Sequence, residues 1–280
     1  MQTILSIHSH VAFGHAGSCA ADFPLQRLGF GVVAVDAVQI TRYSGDGTWT
    51  GRVFAPQPLA EILPGQDACD AVLSGLLSDT ELGAVVADSV IRTRQQRPGA
   101  LYCCDPVMGD IGRGFQVKAG VPDFIRSRLV PLADILTPNQ FELEFITGGP
   151  VQTLNQAQKA AATARRLGPK LLLLTSLSIP ETPADSIDML IDCAEGCWLV
   201  STPRLQFERL PRGAGDCVAA LFLAHYLRCG DPAEALAGTA AGIFAVMEAT
   251  RAAGTRELRL IDARDQLITP RRRFPLERLR

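Results

Sequence analysis

The segment Arg212-Gly213-Ala214-Gly215-Asp216 sets two glycines and a carboxylate directly before the apolar run Cys217 to Ala224, which reads as a buried helix. Glycine lets a ligand approach the backbone closely, and the N–H groups of a first helical turn lack partners within the helix. Such a turn holds an anion: its donors and the positive end of the helix dipole, roughly half an elementary charge, face the same way. An oxyanion or a transferring phosphoryl group fits there. Asp216 would then stand beside the reacting atom, where a carboxylate accepts the proton of an attacking hydroxyl and contributes about 10² to 10⁴ in rate. The competing reading is a plain helix cap, since Asp after Gly is also a common helix start.

Two further carboxylates belong to strand-to-loop transitions. Asp105 follows the apolar Ala100 to Cys104, and Glu142 follows Thr137-Pro138-Asn139. A doubly wound sheet can bring both to one edge, where paired carboxylates suit a divalent cation such as Mg²⁺, often through water, with phosphate oxygens completing the octahedron. The plainer alternative makes Asp105-Pro106 a turn and Glu142 a helix cap, and both readings can hold together. Ser9 ends the first apolar run, in place for a small polar contact to a ligand. The four histidines lack metal spacing, and His10, beside Ser9, is the one to test as a ligand contact.

The elements that must carry these residues are short apolar runs at Thr3 to Ile7, Val32 to Val38, Ala71 to Leu73, Ala100 to Cys104, Asp134 to Leu136 and Lys170 to Leu174. They read as buried strands. Helical spacing fills Ala20 to Leu28, Leu82 to Arg97, Val121 to Arg128 and Gln156 to Leu167. The alternation predicts an α/β fold: a mostly parallel central sheet with helices on both faces. Met189 to Cys193 and Cys197 to Ser201, joined by Ala194-Glu195-Gly196, predict an antiparallel hairpin at an edge. No linker divides the 280 residues, so one domain is expected over 1–280, with 267–280 a solvated or docked tail.

Composition narrows the function classes. The chain is 47% hydrophobic and 20% charged, enough for a large core. Its 27 basic and 29 acidic residues leave a net charge of -2, with no global pull toward nucleic acid or an anionic membrane. No apolar run is long enough to span a bilayer, and Met1 to Ser9 lacks a secretory pattern, so the expected location is the cytoplasm. The eight cysteines show no C-x-x-C spacing; core packing is expected of Cys103 and Cys104.

Gly213-Ala214-Gly215-Asp216 resembles the G-x-G-D signature of the ribokinase-like superfamily. Ser9-His10-Val11-Ala12-Phe13-Gly14-His15-Ala16-Gly17 is similar to the opening motif of the pyridoxal kinases within it. Val38-Gln39, Trp49-Thr50-Gly51, Ser74-Gly75, Cys104 to Gly109 and Thr137 to Glu144 follow in that family's order. The resemblance spans about residues 3 to 250. It implies ATP-dependent phosphorylation of the 5′-hydroxyl of pyridoxal, with Mg²⁺, in a homodimer. It also implies roles: Asp216 as base; Gly213, Ala214 and Gly215 as anion hole; Ser9, Ser44 and Gly45 at the substrate. Asp105, Thr137, Asn139, Glu142 and Thr175 would lie at the nucleotide, with Asp105 and Glu142 toward the metal. Two departures stand out: Gly45 replaces a family glutamine in the substrate-covering loop, and Thr175 replaces a lysine common in this branch. The alternatives are a hydroxymethylpyrimidine kinase of the same superfamily and a vitamin B6 binding protein that has lost catalysis.

Overall fold

The structure is a computed structural model and describes residues 1–43, 49–53 and 69–280. Strands β1 (Thr3–Val11), β2 (Gly31–Tyr43) and β3 (Trp49–Val53) open the chain, with helix α1 (Ser18–Arg27) between the first two. Then come β4 (Ala71–Ser74), α2 (Thr80–Gln96), β5 (Leu101–Cys104), the small hairpin β6 (Gly109–Asp110) and β7 (Gly114–Phe115), and α3 (Val121–Phe124). The chain continues through β8 (Ile135–Leu136), α4 (Gln140–Thr147), α5 (Leu154–Arg165), β9 (Leu171–Leu177), β10 (Ser186–Asp192) and β11 (Cys197–Pro203). It ends with α6 (Ala214–Cys229), α7 (Pro232–Ala252) and β12 (Leu276–Arg278).

Ten strands form one sheet in the order β12-β11-β10-β9-β8-β5-β4-β1-β2-β3. The six from β9 through β2 run parallel, so their carboxyl ends share one edge. Strand pleating sorts the core. Leu5, Val72, Tyr102, Leu136, Leu172 and Leu174 pack with α2, α4 and α5 on one face. Ile4, Ala71, Leu73, Cys103, Ile135 and Leu173 pack with α1, α6 and α7 on the other. A sheet covered on both faces explains why these strands read as continuous apolar runs.

The expected hairpin is present, with Met189 opposite Val200 and Asp192 opposite Cys197. It is not outermost, because Leu276–Arg278 of the expected tail pairs antiparallel with Trp198–Val200. Fully buried Asp192 binds that end: Arg280 Nη2 lies 2.6 Å and Arg165 Nη1 2.9 Å from its carboxylate. Two charge-assisted bonds to one buried carboxylate dock the tail. The helix predicted at Val121 to Arg128 forms only one α-turn before widening to a π-turn over Ile125–Leu129 and a 3₁₀-turn over Val130–Leu132. Pro131, which lacks an amide proton, stands inside that last turn.

Candidate active site

Gly75, Asp105, Thr137 and Asn139 fall just beyond the carboxyl ends of parallel strands β4, β5 and β8, and Ser9 and Thr175 lie in the carboxyl-terminal halves of β1 and β9. That edge is where open α/β sheets bind ligands, since the chain leaves each strand there into a loop. Backbone bonds lock the loops together. Asp105 N–H donates to Ser74 O at 2.9 Å, Thr137 N–H to Cys104 O at 3.1 Å and Thr175 N–H to Pro138 O at 2.8 Å.

Helix α6 begins at the same edge. Gly213 is its N-cap with φ 85° and makes no side-chain cap. A side chain there would overlap the carbonyl oxygen of His15, so the left-handed turn and the close chain crossing both require glycine. Asp216 sits in the first turn but does not cap it. Its Oδ2 accepts the N–H of Gly17, on the loop after β1, at 3.0 Å. The helix-cap reading of Asp216 therefore gives way: its carboxylate spans from α6 to the β1 loop, while the first-turn N–H groups of Ala214, Gly215 and Asp216 have no partner within the helix.

Asp105 and Glu142 are both buried. Thr137 Oγ1 donates to Asp105 Oδ1 at 3.2 Å, and Asp105 Oδ2 is buried with no hydrogen-bond partner. Burial, then the negative charges of Glu142 and Asp216, push the Asp105 carboxyl well above the usual range. All three carboxylates thus share one electrostatic field. Burial also pushes Glu142 up to about 7, against the N–H donors that hold its charged form. Those donors are Met108 at 3.0 Å and Asn139 at 2.9 Å, and Asn139 Oδ1 accepts the Glu142 N–H in return, a capping box. Asn139 is the cap of α4 and Glu142, three residues on, closes the capping box, while its side chain also pins the loop after Asp105. Asn139 Nδ2 donates to Gly109 O at 2.8 Å and ties the same loop.

The fit to a divalent cation follows from these donors. Asp105 carries an unpartnered buried oxygen, and the raised carboxyls would be relieved by positive charge. Among the described residues no cluster of three or more His, Cys, Asp or Glu forms a cage. Two carboxylates completed by water and phosphate oxygens suit Mg²⁺ better than an all-protein site would.

The pair has a consequence for stability. A carboxyl that ionises at about 7 when folded and near 4.5 when unfolded binds a proton on folding, so ligand-free stability falls as pH rises between those values. Thermal unfolding without nucleotide or metal should show that fall, on the order of a few degrees. Glu142→Gln should reduce the fall and leave the share that the raised Asp105 carboxyl contributes; an equal slope in the variant would assign the titration elsewhere.

Other predicted residues are placed as follows. Ser9 is buried at the end of β1. Thr175 is buried, with its hydroxyl 3.4 Å from Pro138 O, and its backbone bridges to Asn139. Ser44 and Gly45 lie outside the described residues. His10 Nδ1 lies 3.2 Å from Ser18 Oγ and 3.6 Å from Asp36 Oδ2, within the wall of α1 and β2. All the cysteines are free; burial pushes the Cys104 thiol up to about 12, which fits core packing rather than reaction with an aldehyde.

Two groups at this edge were missed in the sequence: Gly17, whose N–H holds Asp216, and His8, whose Nδ1 lies 3.6 Å from Asp216 Oδ1. Strand alternation was the available signal for His8, since it puts His8 on the same face as Ile4, which packs with α6. A cleft of about 320 Å³ between Arg94, Pro98, Asp134 and Lys170 lies at the opposite edge and touches none of these groups. Another, of about 360 Å³, runs from Phe13–His15 to 257–262, beside the chain that passes Gly213.

The phosphomethylpyrimidine kinase family model matches residues 60–258. This span holds the carboxylates and the α6 turn but omits β1 and the positions Ser44 and Gly45. Full-length relatives supply that part. The chain is 48% identical to pyridoxal kinase PdxY of Rubrobacter xylanophilus, over 99% of this chain and 97% of that protein. It is 46% identical to pyridoxal kinase PdxY of Deinococcus radiodurans, with the same two coverages. Among solved structures, pyridoxal kinase from Leishmania donovani in complex with ADP and ginkgotoxin matches at a TM-score of 0.91, with 28% identity and 100% of both chains covered. The ribokinase-like fold and the order of its motifs agree with these likenesses, and the chain belongs to the pyridoxal kinase family.

Proposed function

We propose that this kinase transfers the γ-phosphoryl group of ATP to the 5′-hydroxyl of pyridoxal, giving pyridoxal 5′-phosphate and ADP, with pyridoxine and pyridoxamine as further acceptors. The observation that carries the reading is Asp216. It stands in the first turn of α6, is held by Gly17 from the β1 loop, and acts electrostatically on Asp105 across the site. That arrangement supports the reading of a base beside an anion hole, within the field of a carboxylate pair.

Ser9 would contact the vitamin ring at the end of β1, with Ser44 and Gly45 on the covering loop. Asp216 would accept the 5′-hydroxyl proton as the oxygen attacks phosphorus. The N–H groups of Gly213, Ala214 and Gly215 would receive the charge on the transferring group, a stabilisation that costs no reorganisation because the helix fixes them. Asp105 and Glu142 would hold Mg²⁺, which would supply neutralising charge on the ATP phosphates. Thr137, Asn139 and Thr175 would line the nucleotide. With threonine at 175 the phosphates meet a hydroxyl and no lysine charge there, so neutralisation rests more on the ion. A homodimer in the cytoplasm completes the proposal; no helix among the described residues is long and apolar enough to cross a membrane.

A comparison of acceptors tests the assignment. With ATP and Mg²⁺, kcat/KM for pyridoxal should exceed that for 4-amino-5-hydroxymethyl-2-methylpyrimidine by about tenfold or more. The reverse order would make the chain a hydroxymethylpyrimidine kinase.

A further inference from the structure

We propose that His8 is a positioning residue for Asp216, holding the carboxylate by a hydrogen bond from Nδ1 that closes when the site is loaded. The inference rests on the reading of Asp216 as the base.

His8 is completely buried in β1, one residue before Ser9, and neither ring nitrogen has a hydrogen-bond partner among the described residues. A buried polar group without a partner is costly, on the order of 1–3 kcal/mol, so such a group needs an account. The nearest acceptor is Asp216 Oδ1, 3.6 Å from Nδ1, just beyond bonding reach. Asp22 of α1 lies on the same face but is taken by Ser6 Oγ at 2.6 Å. The other oxygen of Asp216 is occupied by Gly17. Room for the ring has been made: a Cβ at residue 75 would overlap His8 Nδ1, and Gly75, at the end of β4, supplies none. The Gly75 N–H donates to Ile7 O at 3.1 Å, which fixes that glycine against the ring.

In its Nδ1-protonated tautomer the imidazole donates toward Oδ1, while Gly17 donates to Oδ2. A closure of roughly 0.6 Å makes an ordinary N–H···O bond. The carboxylate would then be held at both oxygens, and each keeps a lone pair for the hydroxyl proton. Apo catalytic hydrogen bonds are commonly long and tighten only in the reactive complex. A base fixed in rotation spends more time in the attack geometry, so the effect belongs in kcat.

The test is a double-mutant cycle with a conservative rescue, on full-length enzyme with pyridoxal and Mg²⁺·ATP. His8→Leu should lower kcat about tenfold, with KM for both substrates within about twofold. His8→Asn, whose Nδ2 sits on Cγ as the imidazole Nδ1 does, should restore most of that loss. In an Asp216→Asn background His8→Leu should have almost no further effect, because there is no base left to position. Equal loss in the Leu and Asn variants, no loss in either, or an undiminished loss on top of Asp216→Asn would overturn the proposal. If the Leu variant does not fold, by thermal unfolding and ADP binding, His8→Met replaces it: similar volume, no N–H donor, same expected cycle. Full activity of Asp216→Asn alone would remove the base reading itself; an inactive Asp216→Asn with an indifferent His8 removes only this inference.

Discussion

Asp216→Asn should lower kcat by a factor of about 10² or more, with KM for pyridoxal and ATP nearly unchanged. The fold gives little reason for collateral damage. Asp216 does not cap α6, so the helix start is untouched, and asparagine still offers an oxygen to the Gly17 N–H. What it cannot do is accept the proton released as the oxygen bonds to phosphorus, an interaction made only in the transition state. Steady-state kinetics, with thermal unfolding as a control, reads the two apart. Turnover within a few-fold of the parent would leave Asp216 a strut between α6 and the β1 loop, and the proton would have another destination.

Gly213→Ala is the second large effect. The residue stands at φ 85°, and a methyl group would overlap the His15 carbonyl oxygen and press on Ala16 Cα. A left-handed alanine costs about 1–2 kcal/mol before any collision, and the clash is with backbone, which cannot swing aside as a side chain can. The N-terminus of α6 must shift from the β1 loop, carrying the proposed anion hole and Asp216 with it. Loss of one fixed oxyanion donor alone is worth about 10² to 10³ in rate. The variant should therefore lose at least that in kcat and unfold several degrees lower. Alanine at the neighbouring Gly215, where an added Cβ meets nothing within 4 Å, should be far milder in stability. Equal stability of the Gly213→Ala variant and the parent would mean that the loop 13–17 does not hold the helix where the structure has it.

The sheet and its two helical layers were legible because buried parallel strands carry unbroken apolar runs, and Lys170 to Leu174 or Ala71 to Leu73 can hardly be read otherwise. The strand Leu276–Arg278 was hidden for the opposite reason. An edge strand has one neighbour and little to bury, so its arginine-rich sequence looks like solvent-exposed tail until Asp192 is seen beneath it. At the site, Asp216, Asp105 and Glu142 were visible as residue types at strand and helix ends. Their coupling was not, because Gly17 and Asp216 are 199 residues apart and meet only through the fold. His8 went unread beside the more conspicuous Ser9 and His10, since a histidine inside a strand declares nothing until its neighbours are known. The glycines of the α6 turn signalled backbone freedom; that Gly213 is also a crossing point with His15 emerged only from packing.

The central claim is that the carboxyl edge of this sheet moves a phosphoryl group onto the 5′-oxygen of pyridoxal. Phosphorus NMR of the full-length chain with ATP, Mg²⁺ and pyridoxal reads that bond directly. The expected result is loss of the γ-phosphate signal with equal growth of a phosphomonoester resonance coupled to the 5′-methylene protons, absent when 5′-deoxypyridoxal replaces pyridoxal. Inorganic phosphate as the sole product, or pyridoxal that binds while ATP remains intact, would contradict it.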